Sequence, residues 1–259
     1  MSATLAGRRI VITRPAGQGE TLAALVRERG GTPLMFPVIE IQDVGDVKPL
    51  LAIIDRLDAF DIAVFISPNA VNKAMNLITV RRAWPPHLVA ATVGRESEKH
   101  LRRHGVSNVV APTGRFDSEA LLALAPMQDV AGKRIVIFRG DGGRELLGDT
   151  LVARGAQIEY AECYRRRRPD IDVSPLLTAW ARAEIDAIVV TSSEGLANLY
   201  DMTGKLAQQW LRRTPVFVPH ERIADNARGL GLDRVVVTGA GDAGVVASLE
   251  TFFAKVASS

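Results

Sequence analysis

The stretch Arg134-Ile-Val-Ile-Phe-Arg-Gly-Asp-Gly-Gly-Arg-Glu145 decides the fold. Its apolar run has no polar residue to place in water, so it suits a strand covered on both faces, as in a parallel sheet. The glycines that follow turn the chain toward a helical segment. Backbone N–H groups in such a turn can approach an anion, and the start of a helix adds partial positive charge. The same glycines also serve a plain strand-to-helix turn, because they permit unusual dihedrals. Arg139, Arg144 and Arg14 are expected at one end of the sheets, the end where parallel sheets bind ligands.

Working outward, similar runs occur at residues 9–13, 61–66, 88–93, 107–110, 186–191, 215–218 and 234–238. Between them lie segments of helical spacing, such as the one carrying Leu22, Leu25 and Val26, with Gly30 placed to end it. This alternation predicts an α/β protein. The chain also repeats itself at an offset of 125 residues: Arg14 with Arg139, Gly17 with Gly142, Glu20 with Glu145, Gly30 with Gly155, Asp61 with Asp186, Ser67 with Ser192. One register held along the chain predicts two copies of a unit of about five strands.

Composition narrows the function. With 259 residues, 47% hydrophobic and 24% charged, the chain is long enough for one or two folded domains and is not expected to be disordered. A net charge of +3 and 5% aromatic residues give no footprint for nucleic acid. Cys163 is the sole cysteine, so no intrachain disulfide is possible. No run approaches the length of a membrane span or a signal peptide, and the expected location is cytoplasmic.

Several motifs read as structure. Gly239-Ala-Gly-Asp-Ala-Gly244 fits the dinucleotide pattern but leaves no room for the following acidic strand end, so a turn before a last helix is expected. His100 and His104 share a helix face among Glu98, Lys99, Arg102 and Arg103, which describes a solvated surface, and no metal site is expected. Arg165-Arg-Arg-Arg168 reads as a solvated linker that would also draw a polyanion closer. Ser67-Pro-Asn69 and Thr191-Ser-Ser-Glu-Gly195 sit at equivalent turns, where Ser192, Ser193, Glu194 and Gly195 either cap a helix or face a ligand. No nucleophile elbow accompanies them.

The block from Ala131 to Thr150, with Arg154-Gly-Ala and Glu162-Cys-Tyr164, closely resembles uroporphyrinogen-III synthases, as do Ile12-Thr-Arg-Pro15, Phe36-Pro-Val-Ile-Glu40 and the Thr191 turn. The resemblance covers essentially the whole chain. It implies two doubly wound, flavodoxin-like parallel-sheet domains joined by a two-segment linker, with the substrate held in the cleft between them. On that pattern residues 1–37 with 169–259 form one domain, 42–164 the other, and 38–41 and 165–168 the linkers. The implied reaction closes hydroxymethylbilane, a polyanionic linear tetrapyrrole, to uroporphyrinogen III with loss of water and inversion of the last ring. It implies no cofactor, a monomer, and a substrate handed over from hydroxymethylbilane synthase.

By the same resemblance Tyr164 matches the tyrosine that assists departure of the hydroxyl. Substrate contacts are expected from Arg14, Ser67, Asn69, Gly94, Ser97, Arg139, Gly140, Asp141, Gly142, Gly143, Ser192, Ser193, Glu194, Gly195 and His220. Gly94-Arg-Glu-Ser97 keeps only the hydroxyl of a threonine common in relatives, and Val218-Pro-His-Glu-Arg222 lacks the Gly and Thr often found in the second copy. Two rival readings remain at this point: a two-domain protein that closes on an anionic metabolite without reacting it, and a nucleotide-dependent transferase, which the absence of a Gly-Lys-Ser/Thr loop disfavours.

Overall fold

Each apolar run forms a short strand whose alternate residues face opposite layers. The computed structural model describes residues 4–142 and 145–257. Among these the strands are β1 (Arg9–Ile12), β2 (Thr32–Met35), β3 (Glu40–Asp43), β4 (Ile62–Phe65), β5 (Val89–Thr92), β6 (Val109–Val110), β7 (Arg134–Gly140), β8 (Gln157–Arg167), β9 (Ala187–Val189), β10 (Val216–Val218) and β11 (Val235–Val237). The chain divides into two compact units, Met1–Glu40 with Arg167–Ser259, and Ile41–Arg166.

The first unit carries the sheet β2-β1-β9-β10-β11, and the second carries β3-β8-β7-β4-β5-β6. The pairings among the five strands of the first sheet, and among β4 to β8 of the second, are parallel. The order 2-1-3-4-5 is that of a flavodoxin-like doubly wound sheet. The offset of 125 reappears in the registers. Ile10 faces Ala187 and Ile135 faces Ile62, while Arg9 faces Thr32 and Arg134 faces Gln157. The first sheet therefore takes two adjacent strands from one copy of the repeat and three from the other, and the second takes two adjacent strands from one copy and four from the other.

A pair of aspartates fixes this exchange at the strand starts. In the first unit Arg9 N–H donates to Asp186 Oδ2 at 2.9 Å and Asp186 N–H donates to the Arg9 carbonyl at 3.0 Å. In the second, Arg134 N–H donates to Asp61 Oδ2 at 2.8 Å and Asp61 N–H to the Arg134 carbonyl at 2.8 Å. These four residues are the same two positions of the repeat, and in each sheet the partners come from different copies.

Burial on both faces explains the unbroken apolar runs. In the second unit Ile62, Val64, Ile135 and Ile137 enter one core layer, and Ala63, Phe65, Val136 and Phe138 enter the other. Phe65 and Phe138 stack there with centroids 4.8 Å apart. In the first unit Ile10, Ile12, Val189 and Phe217 pack with Leu22, Val26 and Leu249 of the covering helices. Gly30 and Gly155 end equivalent helices with φ of +81° and +88°, a left-handed conformation that a side chain would strain. The amide two residues past each helix then donates back, Gly31 to Val26 and Ala156 to Leu151.

The chain passes between the units at Glu40–Ile41 and at Arg166–Arg167, both inside strands, since β8 continues through Arg167 with β3 as its neighbour. A strand accepts such a basic run because its backbone pairs while the arginine side chains reach solvent. Residues 38–41 likewise lead into β3 at Glu40. No helix among the described residues is long and apolar enough to cross a membrane.

Candidate active site

In the second unit a register change places the tyrosine. Arg139 of β7 faces Glu162 of β8, but the next residue, Gly140, faces Tyr164, so Cys163 is an extra residue in the ladder. Such a bulge re-aims the side chain that follows it. Tyr164 is only 3% exposed, and its hydroxyl lies 3.0 Å from the Ser67 hydroxyl. Ser67 follows β4 and caps the helix Pro68–Arg81, its Oγ accepting from Ala70 N–H at 3.1 Å. Its counterpart Ser192 caps Ser193–Arg213 by accepting from Gly195 N–H at 2.9 Å. The two caps are alike, but the position matching Tyr164 is Ile39, so the hydroxyl pair belongs to the second unit alone.

Gly140 is required by this arrangement. A Cβ on it would stand 2.6 Å from Tyr164 Cε2 and 2.7 Å from Cζ, well inside van der Waals contact. Asp141 ties the turn to β8: its N–H donates to the Tyr164 carbonyl at 3.0 Å, and its Oδ1 accepts from Arg166 N–H at 2.8 Å. Gly142 has φ of +66°. Gly143 and Arg144 lie outside the described residues. Cys163 is buried with Sγ 3.3 Å from the Ala161 carbonyl, and burial pushes its thiol up to about 12. It stays protonated at neutral pH and is no nucleophile.

The expected residues of the second unit lie at the carboxyl ends of its strands. Gly94 caps the helix after β5, where a Cβ would meet nothing within 4 Å. Asn69 lies in the first turn of the helix that Ser67 caps. Ser97 is 2% exposed inside its helix. Arg139 is 6% exposed and its guanidinium lies over the Tyr160 ring at 4.8 Å.

In the first unit Arg14, Ser192, Ser193, Glu194, Gly195 and His220 follow β1, β9 and β10. Arg14 pairs with Asp242, so its charge is already met. Ser193 Oγ accepts from Asn226 Nδ2 at 2.8 Å. Gly195 packs closely, since a Cβ there would lie 3.3 Å from Val38 Cγ2. His220 is exposed and caps Glu221–Gly229 without a side-chain hydrogen bond, leaving the first amides of that helix to another acceptor.

The motifs read as structural keep that role. Gly244 packs so tightly on Gly239 that a Cβ would lie 2.3 Å from the Gly239 carbonyl carbon, so this is a close turn before Gly241–Ala257. His100 Nδ1 lies 2.7 Å from Asn72 Oδ1, and burial together with Arg103 lowers its pKa. Among the described residues no three His, Cys, Asp or Glu groups cluster as metal ligands. Sequence reasoning missed the bulge, the Gly140–Tyr164 contact and the Ser67–Tyr164 bond. The offset alone offered a signal: the serines match between copies, and Tyr164 and Ile39 do not.

Comparison with known proteins gives the family. The family model described as Uroporphyrinogen-III synthase HemD matches residues 20–243. The uroporphyrinogen-III synthase of Salmonella typhimurium is 38% identical over 88% of this chain and 94% of its own, and that of Escherichia coli is 36% identical over the same shares. Among solved structures, a mutant uroporphyrinogen III synthase from Thermus thermophilus superposes with a TM-score of 0.65 at 18% identity, covering 97% of this chain and 100% of that one. The Helicobacter pylori enzyme does so with a TM-score of 0.59 at 15% identity, covering 96% and 99%. The fold, the central sequence block and the match over most of the chain agree: this chain belongs to the uroporphyrinogen-III synthase family.

Proposed function

We propose that Tyr164, held by Ser67, is the proton donor when this chain converts hydroxymethylbilane to uroporphyrinogen III. The observation that carries the reading is the 3.0 Å contact between the two hydroxyls above Gly140. The Ala70 N–H donates to Ser67 Oγ, and the Ser67 and Tyr164 hydroxyls share a hydrogen bond in which either can donate; with Ser67 as the donor, the phenolic proton goes to the substrate. A chain of donors that starts at a helix N-terminus polarises each bond toward the last.

The terminal pyrrole nitrogen pushes out the hydroxyl, which leaves as water on taking the phenolic proton; the pyrrole N–H proton then returns to the phenolate, and an azafulvene remains. The substituted carbon of the last ring attacks that methylene to give a spiro intermediate. Fragmentation and reclosure invert the ring. Since the bilane closes without help to the uninverted isomer, the enzyme's task is placement, which can supply much of a rate enhancement. Unfilled amides at the capped helices that begin after Gly94 and His220 suit the substrate's carboxylates. Arg139 and Ser97 are left to packing. Prompt supply by hydroxymethylbilane synthase, in the cytoplasm and to a monomer, fits so self-reactive a substrate.

The test is an isomer-resolved assay on freshly generated hydroxymethylbilane. Dominant type III product is expected, and a type I mixture equal to the enzyme-free control would overturn the reading. In Tyr164→Phe, turnover at saturating bilane should fall roughly ten- to a hundredfold, the scale of general-acid help. Ser67→Ala and Ser192→Ala each remove a like cap and should each cost about 0.5–2 kcal/mol of stability. Turnover at saturation should drop only in Ser67→Ala. Equal turnover in the two would remove Ser67 from the proton path.

A further inference from the structure

At the amino end of the first unit's sheet, opposite the rim that holds Ser192 and His220, lies a cavity of about 280 Å³. Its walls include Trp180 and Trp210, with Arg8, Asp186, Arg213 and Arg234 around them. Trp180 is fixed, its indole N–H donating to Thr214 Oγ1 at 3.0 Å. Asp186 is committed to Arg8 and to the Arg9 amide. Among the described residues Arg213 and Arg234 meet no carboxylate; Arg234 instead lies over the Phe252 ring at 5.3 Å. The lining thus joins two aromatic walls to two guanidiniums whose charge is unmet.

The wall is also strained. Ala183 has φ of +55°, a left-handed conformation in a residue with a side chain. Such strain persists only where the surroundings impose it. The scaffold itself does not demand the cavity, because the molecule contains a second copy of it. The positions 125 earlier than Trp180, Trp210, Arg213 and Arg234 carry Asp55, Pro85, Leu88 and Val109. There Phe60 fills the corresponding end of the sheet, with the Arg56 and Arg134 guanidiniums over its ring. Those two arginines pair with Glu159, whereas Arg213 and Arg234 of the first unit meet no carboxylate among the described residues.

We infer that this cavity is a second ligand site, for a small planar ring that bears carboxylates. The indoles offer faces for the ring, and arginine forks match carboxylate geometry. The volume admits one such ring and falls short of the usual pocket for a drug-sized ligand, so a four-ring tetrapyrrole does not fit.

The protein has three tryptophans, and Trp84 is the one outside the cavity. In a Trp84→Phe chain, indole fluorescence therefore reports the site. Titration with benzene-1,3-dicarboxylate should change it saturably, whereas benzene-1,3-dicarboxamide should not. Adding Arg213→Ala and Arg234→Ala should weaken the dicarboxylate by at least about tenfold, the scale of one charge-assisted contact. If that variant melts early, Arg213→Gln with Arg234→Gln serves instead. Absence of saturation up to millimolar ligand, equal binding of the diamide, or undiminished binding without the arginines would each overturn the site. The readout does not involve turnover, so it is independent of the Tyr164 reading.

Discussion

On the role proposed for Tyr164, Gly140→Ala should lower turnover on hydroxymethylbilane by on the order of a hundredfold, because displacing a catalytic group by about 1 Å costs that much. The added methyl would stand 2.6 Å from Tyr164 Cε2, so the ring must move. Tyr164 belongs to a buried cluster with Phe138 and Cys163, and it cannot swing toward solvent without opening that layer. The movement carries its hydroxyl away from Ser67. The loss should therefore equal or exceed that of Tyr164→Phe, which removes the hydroxyl but keeps the ring in place. Steady-state kinetics on the two variants, with melting curves to show that both fold, checks this. A Gly140→Ala enzyme with full turnover would show that the ring need not be where the bulge puts it.

Phe138→Ala should give the largest loss of stability, about 3–5 kcal/mol for an aromatic removed from a packed core. Phe138 is fully buried and stacks on Phe65 between β7, β4 and the helix Pro68–Arg81. For a unit of this size that loss lowers Tm by about 10 °C or more. The repeat supplies a contrast at the matching position, Thr13, whose buried hydroxyl donates to the Val189 carbonyl at 2.8 Å. Thr13→Ala removes a hydrogen bond and little volume, so it should cost only about 0.5–1.5 kcal/mol. Thermal melts of both variants settle the comparison; a fall below about 3 °C for Phe138→Ala would mean the layer collapses to fill the gap.

Much of the fold was legible because it depends on local spacing. Buried parallel strands need apolar residues at every position, as in Ile62-Ala-Val-Phe65, and helices that close with a left-handed residue need glycine, as at Gly30 and Gly155. The offset of 125 was legible for the same reason, since matching turns demand matching residues. The site was legible as a set of turns at one end of each sheet. Residue type and neighbourhood did not show that Ser97, Arg139 and Tyr164 are all buried. Side-chain direction depends on helix phase and strand face in three dimensions, which spacing near a turn does not record.

From its residues alone this protein was determined to be a duplicated α/β chain with anion-friendly turns and a tyrosine beside a basic run. Only the tertiary structure decided how the exchange of strands between copies, which the resemblance implied, is clamped: by Asp61 on Arg134 and Asp186 on Arg9. It alone decided that one extra residue, Cys163, brings Tyr164 over Gly140 and against Ser67. The physical reason is that pairing register and bulges arise between strands distant in sequence. A chain that repeats itself carries the same local signals in both copies, and which strand meets which is fixed by hydrogen bonds formed only on folding.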